Sequence, residues 1–181
     1  MTEKRPHNNT YWVEPGLLAG EYPGAANGEA ASTKLRKSLD AGIDCFIDLT
    51  ESGELEPYED RLYAEASACG KQVEYRRFPI NDRGVPESPD HMREILDTIE
   101  AALSEKRIVY VHCWGGVGRT GTVIGCHLAR QGHVGEAALT RLRELFATMD
   151  KAQFTQSPET PEQERWVRTW REPARPKVEK R

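Results

Sequence analysis

The stretch IVYVHCWGGVGRTG spans residues 108–121 and indicates the fold around it. It opens with four residues rich in β-branched side chains, which predict a buried strand over residues 108–111. A glycine-rich run follows, and a helical pattern then extends over residues 120–130. Strand, tight loop and helix therefore succeed one another, with Cys113 at the point where the strand ends.

The loop of this stretch has the composition of an anion-binding cradle. Glycines allow a backbone to turn sharply and to approach a ligand closely, and here they are Gly115, Gly116, Gly118 and Gly121. Successive amides at a helix N-terminus attract anions. Arg119 lies where the helix begins, and its planar guanidinium matches two oxygens of a phosphate or sulfate. We therefore expect an oxyanion site in this loop.

Cys113 lies inside the predicted cradle, and its surroundings favour the thiolate over the thiol. Amide dipoles, the helix N-terminus and the Arg119 guanidinium all stabilise an anion there. A thiolate beneath the phosphorus of a bound phosphate would attack in line and form a cysteinyl phosphate. Arg119 and the loop amides would stabilise the charge that gathers on the equatorial oxygens. The pattern predicts a nucleophilic cysteine.

Residues 112–121 resemble the H-C-x-x-G-x-x-R-S/T-G signature of cysteine-dependent protein tyrosine and dual-specificity phosphatases. The resemblance covers the chain except the first ten residues and the tail after Arg171. It implies a metal-independent phosphomonoester hydrolase without a cofactor. Cys113 would be the nucleophile and Arg119 the residue that grips the phosphate. The amides would come from Trp114, Gly115, Gly116, Val117 and Gly118.

The same resemblance implies roles for two neighbouring residues. Thr120 matches the hydroxyl that hydrogen-bonds the cysteine sulfur and helps it to leave. His112 matches the histidine that orients the loop through backbone hydrogen bonds, and a packed core histidine is the alternative. The position of Trp114 leaves two possibilities open, because its ring would either form a wall of the pocket or pack beneath it.

A general acid must reach the leaving oxygen from a separate element of the chain. Asp82 lies in the turn-rich segment 79–86, 31 residues before the cysteine (113 − 82 = 31), which is about the separation that the resemblance implies. Stabilisation of the turn is its alternative role. Asp48 and Asp90 compete with it, but one lies in a predicted buried strand and the other in the first turn of a predicted helix.

The second step of the expected reaction needs a positioned water. Relatives in the tyrosine-phosphatase branch use a glutamine in a late loop, and Gln163 is the candidate here. Thr160 and Gln163 also match a helix capping box, so a purely structural role stays open. Gln156 is a weaker alternative.

The expected substrate follows from the charge of the loop. Positions 114–118 carry no lysine or arginine, which favours a singly phosphorylated substrate, although positive charge can come from Arg76, Arg77 and Arg83. We expect phosphotyrosine, or phosphotyrosine together with phosphoserine and phosphothreonine, in proteins. The alternatives are a small phosphomonoester such as an inositol phosphate or a nucleotide, a non-catalytic phosphate-recognition module, and a sulfur-transfer or arsenate-reducing enzyme.

The rest of the chain alternates strand and helix patterns, which predicts an α/β fold. We expect a mostly parallel sheet of four to five strands, with helices on both faces and the site at the carboxyl ends of the strands. The predicted strands are 11–13, 17–19, 43–49, 73–78 and 108–111. The predicted helices are 29–41, 58–69, one from 88 onward, 120–130, 135–149 and 161–170.

Composition narrows the remaining possibilities for the 181 residues. The net charge of −4 argues against a nucleic-acid partner, and the absence of a long apolar stretch predicts no membrane span. We expect a monomeric cytoplasmic protein with reduced cysteines, in which Cys45, Cys69 and Cys126 are inert thiols or partners that rescue an oxidised Cys113. One domain over residues 11–171 would carry a flexible extension, 1–10, and a basic tail, 172–181.

Overall fold

A five-stranded sheet forms the centre of the protein, whose structure is a computed structural model that describes residues 4–172. The strands, in the spatial order β1-β2-β5-β3-β4, are β1 (Thr10–Glu14), β2 (Leu17–Gly20), β5 (Val109–His112), β3 (Cys45–Asp48) and β4 (Glu74–Arg77). Only β1 and β2 pair antiparallel, and every other pair in this sheet is parallel. The predicted α/β fold with a mostly parallel sheet is confirmed.

Helices cover both faces of this sheet, as expected. They are α1 (Gly28–Asp40), α2 (Glu59–Ala68), α3 (Pro89–Ser104), α4 (Gly118–Arg130), α5 (Glu136–Phe146) and α6 (Pro161–Thr169). Phe46 and Tyr110 belong to one core cluster with residues of α1 and α2. Their strand neighbours Ile47 and Val111 belong to the other cluster, with residues of α3 to α6. Alternate strand residues face opposite layers, which is why both faces of the strands are apolar.

The register of the sheet determines which loops meet at the site. Gly20 pairs with His112, His112 with Asp48, and Asp48 with Arg77, so these four residues form one row across the sheet. Each ends its strand, and all four strands run in the same direction. The loops after them therefore leave from one edge, where ligands bind in such sheets.

Helix α4 begins two residues earlier than the sequence predicts. The Gly121 amide donates to the Val117 carbonyl at 3.2 Å, which closes the first helical turn after Val117. Arg119 is therefore already part of the helix. Helix α5 also ends earlier, at Phe146, and a short 3-10 helix that the sequence analysis missed follows at Asp150–Gln153.

The described part of the N-terminal segment contacts the domain. The Arg5 guanidinium donates to the carbonyl oxygens of Thr10 and Thr148, both at 2.8 Å, and the Asn8 amide donates to Asp150. Of the expected basic tail, only residue 172 lies within the described residues. The division into extension, domain and tail stays a prediction. No helix within residues 4–172 combines the length and apolarity that crossing a bilayer requires.

Candidate active site

The loop after β5, residues 113–117, is hereafter the cysteine loop, and its backbone is held from outside. The carbonyl of Trp114 accepts from the Tyr22 amide at 2.9 Å. The carbonyl of Gly115 accepts from Lys151 Nζ at 2.8 Å. The Val117 carbonyl accepts from Ser157 Oγ at 2.7 Å. Three carbonyls are thus occupied by groups outside the loop, which fixes its backbone.

Close packing of backbone against backbone explains one glycine of the cysteine loop. Gly116 has a φ of +71°, and a Cβ there would lie 2.3 Å from the carbonyl carbon of Gly20. Neither the torsion angle nor the space admits another residue. The end of β2 and the cysteine loop can therefore touch only because residue 116 is glycine.

A cavity of about 330 Å³, the cysteine cavity, opens above this loop. It is lined by Asp82, Arg83, Cys113, Trp114, Gly115, Val117, Gly118, Arg119, Thr155 and Glu159. The structure thus brings the predicted nucleophile, arginine and acid to one place. The remaining predicted site residues, His112, Gly116, Thr120 and Gln163, are not among the residues that line it.

Arg119 is buried and bound by two carboxylates. Its Nη1 and Nη2 donate to Glu54 at 2.7 and 2.6 Å, and Nη2 also donates to Asp82 Oδ1 at 3.0 Å. Nη1 further donates to the Ile80 carbonyl at 3.0 Å. Only 2% of the side chain is exposed. These bonds hold the guanidinium in one orientation at the cavity.

Glu54 is a site residue that the sequence analysis missed. The hydrogen bonds from Arg119 lower the pKa of Glu54 more than burial raises it, so this carboxylate stays ionised. It lies in the loop that follows β3. Its position in the sequence could have indicated this role, since an acidic residue that follows a parallel strand lies at the edge of the sheet where the ligand binds. The strand order that places it beside α4 was not known from the pattern.

Asp82 lies on the loop after β4, residues 79–88, hereafter the acid loop. Its side chain is 53% exposed, lines the cysteine cavity and contacts Arg119. The two competing aspartates lie elsewhere. Asp90 pairs with Arg93 on the surface of α3. Asp48 is buried, and its Oδ1 accepts from the amide and hydroxyl of Thr50 at 2.8 and 2.7 Å.

His112 connects the cysteine loop to the core. Its Nδ1 lies 3.2 Å from the Cys113 carbonyl, and its Nε2 lies 2.7 Å from the Tyr58 hydroxyl. A carbonyl only accepts, so Nδ1 carries the proton and Nε2 accepts from Tyr58. Burial lowers the pKa of His112, which Asp48 at 3.9 Å only partly opposes, so the ring is neutral. The backbone hydrogen bond expected of His112 is formed.

Thr120 differs from expectation in its hydrogen bonding. Its hydroxyl is buried in the first turn of α4, and no group within residues 4–172 is its hydrogen-bond partner. The bond to the cysteine sulfur is therefore not formed in this structure. A buried hydroxyl without a partner is rare and costs free energy. Because the bond to the sulfur is not formed, the role of Thr120 toward the sulfur stays a prediction.

Gln163 forms the capping box rather than facing the cysteine cavity. Its side-chain Oε1 accepts from the backbone amides of Glu159 and Thr160, both at 3.1 Å. Its backbone amide donates to Thr160 Oγ1 at 3.2 Å. Its Nε2 donates to the Gly84 carbonyl at 2.8 Å, which ties α6 to the acid loop. The side chain is completely buried. This geometry favours the structural role over water positioning.

The other open questions concern Trp114 and the three remaining cysteines. Trp114 is 61% exposed and lines the cysteine cavity, so its ring forms a wall and does not pack beneath the loop.

All four cysteines are free thiols. Burial raises the pKa of Cys45 to about 11 and that of Cys126 well above its ordinary value, which disfavours their reactive thiolate forms.

Comparison with protein families identifies one family that matches the part of the chain that contains this site. A family profile described as "Polymorphic toxin system, DSP-PTPase phosphatase" matches residues 22–133, which is more than half of the chain. The matched range runs from the loop after β2 to just beyond α4. It therefore contains the cysteine loop, Glu54 and the acid loop.

Individual proteins agree with this match. The chain is 30% identical over 147 residues to the effector protein hopD2 of Pseudomonas syringae pv. tomato, covering 74% of this chain and 30% of hopD2. It is 27% identical over 93 residues to dual specificity protein phosphatase 5 of Rattus norvegicus, covering 51% and 23%. The chain spans less than half the length of the curated relatives it matches.

A solved structure supports the fold. The crystal structure of Tk-PTP in the active form superposes with a TM-score of 0.69 at 24% identity, covering 88% of this chain and 93% of that one. At this identity, the likeness concerns the arrangement of the sheet and helices rather than the chemistry of the site.

Proposed function

The chain belongs to the DSP-PTPase phosphatase family, and from that premise we propose that it hydrolyses phosphomonoesters of proteins through a cysteinyl-phosphate intermediate. One observation carries the proposal. Cys113, Arg119 and Asp82 line a single cavity at the N-terminus of α4, although they come from two separate loops and a helix. This is the set of groups that a nucleophile, an anion grip and a general acid require.

In the first step, Cys113 Sγ attacks phosphorus as a thiolate while the bond from phosphorus to the leaving oxygen breaks. The electron pair of that bond goes to the leaving oxygen, which takes a proton from the Asp82 carboxyl as its general acid. Arg119 and the loop amides hold the transferring oxygens. The step yields an alcohol or phenol, a cysteinyl phosphate and an Asp82 carboxylate.

In the second step, water attacks the phosphorus and gives its proton to the Asp82 carboxylate. The bond between sulfur and phosphorus breaks, and its electron pair returns to Sγ as a thiolate. The unpaired Thr120 hydroxyl is the group we assign to that departing sulfur. Inorganic phosphate leaves, and the starting protonation states of Cys113 and Asp82 are restored with one water consumed.

The hydrogen bond between Asp82 and Arg119 indicates that phosphate binds before Asp82 reaches the leaving oxygen. Asp82 Oδ1 accepts from Nη2 of Arg119, the guanidinium that we assign to the phosphate. Phosphate oxygens carry more charge than one carboxylate oxygen, so an arriving phosphate replaces Asp82 at Nη2. We infer that this exchange frees the Asp82 carboxyl to meet the leaving oxygen.

The charges of the cysteine cavity support a singly phosphorylated substrate. Of the three arginines expected near the rim, only Arg83 lines the cavity, and it pairs with Glu159 at 3.2 Å. Arg77 pairs instead with the buried Asp48. Little free positive charge is left for a second phosphate. The exposed Trp114 ring at the wall suits a phosphorylated residue in a protein better than a small polar phosphomonoester.

Turnover of a small aryl phosphate tests the proposal, with Cys113→Ser as the decisive variant. We expect a loss of more than about 1,000-fold, since removal of a nucleophile stops the covalent step. Phosphate bound to the wild-type cysteine should be trapped by rapid acid quench and located by mass spectrometry.

The matched control is Cys126→Ser, which changes a buried thiol inside α4. It should retain turnover and the trapped intermediate. Undiminished turnover by Cys113→Ser would remove this residue as the nucleophile. Binding of phosphate by a wild-type protein that turns over no phosphomonoester would instead support a recognition module.

A further inference from the structure

A second cavity of about 350 Å³ is also lined by Trp114 and is called the flanking cavity here. Trp114 is the residue that the two linings share, and it is called the partition between the two cavities here. The walls of the flanking cavity come from the loop after β2 and the loop after β3. They include Tyr22, Gly24, Ala25, Ala26 and Leu55.

The flanking cavity is held open by specific contacts. The Tyr22 hydroxyl donates to the Glu56 carbonyl, and this bond joins the two loops that form the walls. The Tyr22 amide donates to the Trp114 carbonyl at 2.9 Å, which ties the same wall to the cysteine loop. A Cβ at Gly24 would lie 2.5 Å from the Tyr22 hydroxyl, so glycine leaves the room that this ring occupies.

The lining of the flanking cavity suits an apolar group. Its apolar lining residues are Tyr22, Ala25, Ala26, Leu55 and Trp114, and its charged lining residues are Glu21, Lys34 and Glu56. Its charges are matched, because Glu21 pairs with Lys34 at 3.5 Å and with Lys151 at 2.9 Å. The Glu56 side chain is exposed to solvent. A cavity of this kind gives most affinity to an aliphatic or aromatic side chain.

Continuity with the cysteine cavity decides which molecule supplies that side chain. Cys113 and Trp114 are consecutive residues, so a phosphate held over the sulfur lies next to the partition. An extended peptide advances about 3.3–3.6 Å per residue, so residues adjacent to the phosphorylated one pass beside the ring. The occupant is therefore most simply a part of the same substrate chain.

We propose that Trp114 and the flanking cavity form a specificity subsite, which binds an apolar side chain next to the phosphorylated residue of a peptide substrate. This inference rests on the proposed function and adds a sequence preference to it. Trp114 separates the phosphate from the apolar side chain, so each group meets an environment of its own polarity.

The test compares phosphotyrosine peptides that differ only in the residues beside the phosphotyrosine, with leucine or aspartate on either side. A small aryl phosphate is measured in parallel. We expect wild-type kcat/KM to be about tenfold higher for a leucine peptide, which corresponds to burial of part of one aliphatic side chain. The preferred side of the phosphotyrosine emerges from the same panel.

Ala26→Trp is the decisive variant, because this exposed alanine lines the flanking cavity and a larger ring would fill it. We expect the leucine preference to fall at least fivefold, with aryl phosphate turnover within twofold of wild type. Ala147→Trp is the matched control at the exposed end of α5 and should change neither value. Leu55→Lys should shift the preference toward the aspartate peptide.

Three outcomes would overturn the subsite. These are equal kcat/KM for leucine and aspartate peptides in the wild type, a leucine preference that survives Ala26→Trp, and faster turnover of a phosphatidylinositol phosphate in vesicles that Ala26→Trp abolishes. The last result would assign the cavity to a lipid chain. A wild-type protein that fails to hydrolyse even the aryl phosphate would contradict the proposed function itself, and the two failures are therefore distinguishable.

Discussion

The cysteine loop and the acid loop meet at one cavity, but the functional side chains at that cavity differ in how deeply they are buried. Cys113 and Arg119 are 3% and 2% exposed, and three carbonyls of the cysteine loop accept bonds from groups outside it. In the acid loop, Asp82 is 53% exposed. The acid loop is also bonded from outside, by Arg119 at the Ile80 carbonyl and by Gln163 of α6 at the Gly84 carbonyl, but these bonds leave the Asp82 side chain half-exposed.

This difference corresponds to the two tasks we propose. Groups that stabilise charge act best when they are buried and oriented in advance, because no reorganisation is then needed during the reaction. A general acid must instead give up and regain a proton within each cycle. Asp82, half-exposed and bound to Arg119, occupies a position from which an arriving phosphate displaces it.

The largest expected effect removes the acid itself. Asp82→Ala should slow hydrolysis of alkyl phosphates, such as a phosphoserine peptide, by about 10²–10⁴-fold, because a poor leaving group needs the proton. Aryl phosphates with good leaving groups should be slowed much less. The measurement is kcat/KM across a series of leaving groups of increasing basicity.

Asp90→Ala is the control for that series, because this residue pairs with Arg93 on the surface of α3. It should leave all rates within twofold of wild type. Equal losses for alkyl and aryl phosphates in Asp82→Ala would show that another group is the acid. The acid loop would then not have the catalytic role that we assign to it.

The next effect tests the orientation of Arg119. Glu54→Gln keeps the shape of the side chain and removes its charge, so we expect the free energy of unfolding to fall by about 1.5–3 kcal/mol, the usual value for hydrogen bonds between charged groups. Added phosphate should restore most of it, since the anion replaces the carboxylate at the guanidinium. Thermal denaturation with and without phosphate measures both.

The pH dependence of that difference has a definite sign. Arg119 lowers the pKa of Glu54 in the folded protein, so the stabilisation is fully present above the ordinary glutamate pKa, about 4.3. It is lost as the pH falls through the lowered value. The gap between wild type and Glu54→Gln should therefore close only in acid. A gap that is constant with pH would contradict the ion pair.

The smallest effect is expected when Gln163, which contacts the acid loop and also caps the start of α6, is replaced. Gln163→Leu removes the bond to Gly84, so we expect kcat for alkyl phosphates to fall several-fold while the inhibition constant of inorganic phosphate changes little. Gln156→Leu is the control, since that amide contacts only Glu164 at 3.4 Å among the described residues. Stopped-flow traces of Gln163→Leu should show no build-up of cysteinyl phosphate.

Such a build-up in Gln163→Leu would indicate a slowed second step, which is the signature of a lost water-positioning group. It would overturn the structural role that the hydrogen bonds favour. A weakened phosphate inhibition would show instead that loosening the acid loop also displaces Arg119, which bonds that loop at Ile80 and Asp82.

Much of this arrangement was predictable from the sequence because it is local. The order of strand, loop and helix around Cys113 depends on the fourteen consecutive residues 108–121, and their torsion preferences act within the segment itself. The alternation of strands and helices predicted the parallel sheet. That sheet in turn predicted the edge at which Asp82 and the cysteine loop meet.

The sequence analysis was less successful where one residue type admits two roles. Gln163 fitted both a capping box and a water-positioning glutamine, and its hydrogen bonds to the start of α6 and to the distant Gly84 favour the first role. Tyr58, which bonds His112, was read only as the start of a helix. Neither residue carries a local signal of its partner, because the partners are 79 and 54 positions away along the chain.

The sequence by itself thus predicted a strand, a glycine-rich loop and a helix that carry Cys113 and Arg119, since short-range backbone preferences act within that segment. The tertiary structure alone decided that Glu54 bonds Arg119 and that Trp114 lines two cavities. Both depend on the strand order β2-β5-β3-β4, which brings the loops after β2 and β3 to either side of β5. That order results from the packing of the whole sheet, and no single segment encodes it.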